Sequence, residues 1–109
     1  MTHLTHDLLQ AFAETHYTVR HETPFTMHIG LPCPPLVALM SHHKVQCAAF
    51  ITAFNPFSRQ LSDSDNSVRQ ARLKAQLNQR GLICIDGIGQ HPSNHWPGEI
   101  SVLVLGLDL

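Results

Sequence analysis

Hydrophobic and polar positions follow two different periods along this chain, and the switches between them outline its elements. From about Thr5 to His16 there is no Gly or Pro, and Leu4, Leu8, Leu9 and Phe12 recur at helical spacing. This predicts a first helix, with Thr2 or Thr5 as its cap. Tyr17 to His21 and Phe25 to Ile29 then alternate in strand fashion, with Phe25, Met27 and Ile29 on one face. Gly30-Leu31-Pro32-Cys33-Pro34-Pro35 reads as a rigid connection, and Leu36, Leu39 and Met40 as a short helix ending near His42-His43.

Gln46 to Phe54 is nearly all apolar, the mark of a strand buried on two sides. The next helix is expected from a Ser62 cap to about Arg80, because Asp63 and Asp65 favour the dipole of its first turn and Gly81 stands where a terminator belongs. Leu82 to Ile88 is a second largely apolar strand, the breaker-rich segment Gly89 to Gly98 a loop, and Glu99 to Leu105 a last strand. A strand, a helix and a strand in such succession are usually joined by a right-handed parallel crossover. The expected fold is therefore α/β: a mixed sheet with a central parallel β-α-β crossover, an antiparallel last strand, and helices packed on the sheet.

The polar interruptions of these stripes all fall at one end. On the helix from Ser62 to Arg80, at about 100° per residue, Asn66, Gln70, Leu73 and Leu77 share one narrow stripe. On the last strand, Glu99, Ser101, Leu103 and Leu105 share one face. Both lines turn polar only toward the rim where the strand ending at Asn55 also arrives. The sequence thus predicts a convergence of Asn55, Asn66, the His91 to Gly98 loop and Glu99. Loops leaving strand ends meet helix starts at such a rim, a common place for ligands in α/β proteins. The candidate site comprises Thr52, Asn55, Asn66, Gln70, Trp96 and Ser101 as ligand-binding residues, with Glu99 as the candidate catalytic carboxylate. The same residues also admit a purely structural reading. In it Asn55 and Asn66 cap turns, Glu99 pairs with Arg69 or Arg59, and Ser101 bonds backbone.

The chain of 109 residues supports one domain, 1–109, with one core. Apolar residues at 43% and charged ones at 14% exclude disorder as its main state. A formal net charge of -1 leaves no electrostatic footprint for nucleic acid or an anionic membrane surface. No apolar run approaches the roughly 20 residues of a membrane helix, and the N-terminus lacks the basic start of a signal peptide. A soluble cytoplasmic protein is the resulting expectation. Three cysteines, Cys33, Cys47 and Cys84, form no CxxC pair and read as reduced thiols.

Nine histidines prompt the question of a metal. His42 and His43 are adjacent and face apart on a helix, while His91 and His95 lie in a loop with Pro92 and Pro97, so neither pair has helical ligand geometry. Asp86 or Glu99 would have to complete a site with the second pair, and the expectation is no metal and no cofactor. There is no GxSxG, phosphate loop or dinucleotide fingerprint. A nucleophile at Ser101 or Cys84 would need a histidine that only the fold can supply.

The residues Phe50-Ile51-Thr52-Ala53, Asn55-Pro56, Ser62, Asn66, Arg69-Gln70, Leu73, Leu77, Gly81, Trp96-Pro97-Gly98-Glu99, Ser101 and Leu103-Val104-Leu105-Gly106 resemble the bacterial domain-of-unknown-function family number 3293. The resemblance covers about the second half of the chain and implies an α/β domain without implying a reaction. It further implies a C-terminal helix and strand after the Leu-Val-Leu-Gly segment, where this chain reaches Leu109. On that basis Val102 to Leu109 is expected to be an uncovered apolar segment, favouring a homo-oligomer or protein partner.

Three functions follow. The leading one is a binding module whose rim pocket holds a small polar ligand or peptide end. The second is a hydrolase or nucleic-acid-processing enzyme with Glu99 as general base, assisted by His91 or His95. The third is a regulator or inhibitor acting through an exposed apolar edge.

Overall fold

The computed structural model describes residues 6–55, 60–93 and 97–107, with only the backbone described for residues 6–9. In chain order the elements are α1 (His6–Glu14), β1 (His16–Val19), β2 (Phe25–Met27), α2 (Pro34–His42), β3 (Ala48–Ile51), α3 (Asp63–Gln79), β4 (Ile83–Gln90) and β5 (Glu99–Leu105). The strands form one five-stranded sheet in the order β2-β1-β4-β5-β3, and every ladder is antiparallel.

This overturns the expected mixed sheet with a central parallel crossover. The connection β3-α3-β4 exists, but it does not join neighbouring strands. β5 inserts between β3 and β4 and pairs antiparallel with both, through Phe50↔Leu103 on one side and Ile85↔Leu103 on the other. The physical reason lies in side-chain content. Val102, Leu103, Val104 and Leu105 are at most 2% exposed, and only a central position covers a strand that is apolar on both faces. β3, the expected doubly buried strand, is an edge strand of four partly exposed residues.

The two faces of β5 feed two cores. Leu103 and Leu105 pack with Val19 and Leu39, joined by Phe25, Met27, Leu36 and Met40, on the face covered by α2. Val102 and Val104 pack with Leu77, joined by Leu73, Ile51 and Leu82, on the face covered by α3. Burying each such side chain contributes about 1.5–3 kcal/mol, so β5 anchors both layers. The expectation of an uncovered segment therefore fails over Val102–Leu105, which this chain covers by itself; residues 108–109 lie outside the described residues.

α3 begins and ends as its sequence dictates. Ser62 Oγ accepts from the Asp65 amide at 3.1 Å, Asp63 and Asp65 occupy the first turn, and Gly81 takes φ +72° just past the end. There Gly81 N–H bonds Asn78 O at 3.0 Å and Leu82 N–H bonds Leu77 O at 3.3 Å, the paired closure that a left-handed residue permits. The helix is thereby held in register, with Asn66, Gln70 and Leu77 buried along one stripe.

Candidate functional site

The rim is built where β3 ends, α3 begins and β5 begins. Beyond Ile51 the chain leaves the edge of the sheet. Thr52 Oγ donates to Ile100 O at 2.7 Å and accepts from the Phe54 amide at 3.0 Å, tying the exit to β5 and tightening the turn. Ala53 and Asn55 then have no strand beside them on the helix side, and two α3 amides substitute for one. Ala53 N–H donates to Gln70 Oε1 at 2.9 Å, and Asn55 N–H donates to Asn66 Oδ1 at 2.9 Å. The two acceptors are one helical turn apart and the two donors two residues apart, so helix pitch and extended chain run in step. Arg69 adds a bond from Nε to Ala53 O at 3.2 Å.

Asn55 is the junction of this network. Its backbone is left-handed, φ +45°, a conformation that Asn accepts more readily than most side chains. Its Oδ1 accepts from Asn66 Nδ2 at 2.8 Å and from the Leu61 amide at 2.9 Å, and its Nδ2 donates to Glu99 Oε2 at 2.8 Å. Asn66 Nδ2 also reaches Leu61 O at 3.3 Å. Glu99 lies at Gly89 on the α2 face of the sheet, whereas Asn66 belongs to the helix on the other face. Asn55 thus links helix and carboxylate around the end of the sheet.

On the α2 face, Tyr17 and Phe50 meet edge to face at 5.6 Å between ring centroids, although two strands separate them. They meet because β4 has Gly87 beneath Phe50 and Gly89 beneath Tyr17. A Cβ at Gly87 would lie 2.6 Å from Thr18 O and 2.7 Å from the Phe50 ring. Burial, with the nearby Glu99 charge adding, pushes the Tyr17 phenol up, against a lowering hydrogen bond with Thr15. The sequence reading missed this aromatic bridge. Its one local signal is the Gly87-x-Gly89 spacing, which clears one face of a strand.

Six of the seven predicted site residues have a definite place. Thr52, Asn55, Asn66, Gln70 and Glu99 come together at the rim through the bonds above. Ser101 is buried, but its hydroxyl donates to the Glu99 carbonyl at 2.9 Å on its own strand. Trp96, Arg59 and His95 lie outside the described residues. Arg69 serves Ala53 O as described, and Asp86 forms an ion pair with Lys74 at 2.7 Å. His91, the expected assistant of Glu99, is tied to α1. Its Nε2 stands 2.7 Å from Glu14 Oε2, and its Nδ1 accepts from the Ser93 amide at 3.1 Å. That second bond places the proton on Nε2. The hydrogen bond from His91 holds the Glu14 carboxyl below its usual range, Gln10 adding to the effect.

Cys84 is half-buried, its thiol pushed up by burial and directed at Leu82 O. Among the described residues, no group of three His, Cys, Asp or Glu side chains is placed to hold a metal ion, and no helix is long and apolar enough to cross a membrane.

One group at the rim stands apart. Gln70 is 5% exposed, and its Nε2 is a buried donor without a hydrogen-bond partner among the described residues. Such a group costs about 1–3 kcal/mol when left unmade, and native structures hold few of them.

The described residues thus form a small domain of three helices and an antiparallel sheet, with a hydrogen-bonded polar rim at the start of its long helix. The chain belongs to the family described as Protein of unknown function (DUF3293), whose model matches residues 51–109. The matched region runs from the end of β3 through α3, β4 and β5, and so includes every hydrogen-bonded residue of the rim. Comparison with curated proteins and with solved structures returned no match.

Proposed function

We infer that the chain is a binding module whose rim holds a small polar ligand or a peptide end. The observation that carries this reading is the unpartnered, buried Gln70 Nε2 beside a network in which the neighbouring amides are satisfied. Asn55 and Asn66 are spent on each other, on Leu61 and on Glu99, so their role is to position. Gln70 supplies the donor, and the ligand supplies a carbonyl or carboxylate oxygen to meet it.

The test compares wild type with Gln70→Glu and Gln70→Met by thermal shift against acetate, acetamide, glycine and glycylglycine. Gln70→Glu keeps the acceptor for Ala53 N–H and removes the donor, whereas Gln70→Met removes both. A ligand that raises the wild-type Tm and fails on both variants, each still cooperatively folded, supports the reading. An equal shift in wild type and variants would sink it.

A second reading, association with another protein chain, has one observation of its own. β3 is an edge strand of Ala48, Ala49, Phe50 and Ile51, without the charges or proline that commonly guard such edges. Light scattering across a concentration series tests it, and a monomer at every concentration counts against a homo-oligomer.

A further inference from the structure

Apart from the rim, the turn between β1 and β2 and the helix α2 line a half-open cavity of about 450 Å³, within the roughly 300–1,000 Å³ of small-molecule sites. Its floor is apolar: Phe25, Leu39, Pro35 and Ala38. Its walls carry three imidazoles, His21 from the turn and His42 and His43 from the end of α2. The His42 and His43 rings meet edge to face at 5.0 Å. None of the three hydrogen-bonds to another described residue, in contrast to His91, which is bound to Glu14. A neutral imidazole carries one N–H donor and one nitrogen acceptor, so the lining combines three such rings with apolar side chains. The opposing groups are the Thr23 hydroxyl and a single carboxylate, that of Glu22, which is exposed to solvent.

We propose that this cavity is a second binding site, separate from the rim, for a small carboxylate with an apolar body, such as an aryl or branched alkyl acid. The apolar part sits on Phe25 and Leu39, and the carboxylate accepts from His21 and His43, the two partly buried imidazoles. A carboxylate is favoured over an amine because it can take an N–H from two imidazoles at once, while the lining's one carboxylate, Glu22, is exposed to solvent. An anion is favoured over a metal because no three ligating side chains among the described residues are placed to hold one.

Two-dimensional amide NMR of the full chain tests the site with benzoate, benzylamine and zinc as probes. Benzoate is expected to shift the Phe25, Leu39 and His43 resonances to saturation, and benzylamine to bind at least tenfold more weakly. Ala38→Trp fills the cavity from an exposed helix position and is expected to abolish the shifts. His21→Ala with His43→Ala keeps the floor and is expected to weaken benzoate about tenfold, or about 1.4 kcal/mol. Well-dispersed spectra establish that both variants fold. The proposal is overturned by no benzoate response, by benzylamine binding as tightly, by zinc alone occupying the imidazoles at micromolar concentration, or by shifts that persist in Ala38→Trp. None of these outcomes bears on Gln70.

Discussion

Replacing Asn66 by Ala isolates what the rim network contributes. The side chain is 3% exposed and makes three bonds: it accepts from Asn55 N–H at 2.9 Å and donates to Asn55 Oδ1 at 2.8 Å and to Leu61 O at 3.3 Å. Truncation leaves the buried Asn55 N–H without its acceptor, at about 1–3 kcal/mol. The two donated bonds are partly replaceable, since Asn55 Oδ1 keeps the Leu61 amide and Leu61 is only half-buried. Each adds at most about 0.5–1.5 kcal/mol. The expected loss is about 2–4 kcal/mol, a large part of the roughly 5–15 kcal/mol that holds a domain together. For a domain near this size that lowers Tm by about 10–20 °C.

Urea denaturation followed by circular dichroism measures it, with Gln76→Ala on the exposed side of α3 as a control expected within about 0.5 kcal/mol of wild type. Asn55→Gly keeps the left-handed backbone of that position open while deleting its side chain. The cycle with Asn66→Ala should show coupling of about 1–2 kcal/mol. If Asn66→Ala loses less than about 0.5 kcal/mol at an unchanged m-value, or the two deletions simply add, the network does not hold the loop.

Two further predictions probe contacts beyond this network. Gly87→Ala puts a methyl group 2.6 Å from Thr18 O and 2.7 Å from Phe50, and overpacking of this kind costs about 1–3 kcal/mol; urea denaturation should show that loss, partly recovered by Phe50→Leu, and a neutral Gly87→Ala would contradict the aromatic bridge. Because His91 depresses the Glu14 carboxyl below its ordinary 4.5, the α1 contact is complete above that pH and is lost as pH falls through it toward the folded-state value. Hydrogen-exchange protection of α1, taken relative to the intrinsic rate at each pH, should therefore fall on acidification in wild type, and a wild-type dependence surviving in His91→Phe would disprove the assignment.

The rim acts as a splint. β3 stops pairing at Ile51, yet the chain must reach Ser62 without abandoning the polar groups of Ala53 and Asn55 in a half-buried place. Gln70 and Asn66 take up those amides, and Asn55 in turn aims at Glu99. This arrangement accounts for amide side chains on a helix face that is otherwise apolar. Among the described residues it leaves Gln70 Nε2 as the one buried side-chain donor without a partner, which is why the ligand reading rests on Gln70 and not on the asparagines.

Much of the rim was legible in the sequence because it depends on short-range rules. Ser62 and Gly81 set the ends of α3, helix pitch aligned Asn66 and Gln70 with Leu73 and Leu77, and strand alternation put Glu99 in line with Ser101, Leu103 and Leu105. Local periodicity also carried the apolar character of β5.

Which partners those stripes meet was decided only by the tertiary structure. β3 and β5 both read as apolar strands, and their order in the sheet turns on which gains more from cover on two faces. The run Val102–Leu105 took the centre, displaced β3 to the edge and replaced the expected parallel ladder by two antiparallel ones. The same holds for Glu14 with His91 and for Tyr17 with Phe50, pairs 77 and 33 residues apart in the chain. A periodicity specifies the face on which a side chain lies. The identity of the opposing group depends on sheet order, which is set by the sum of burial over the whole domain.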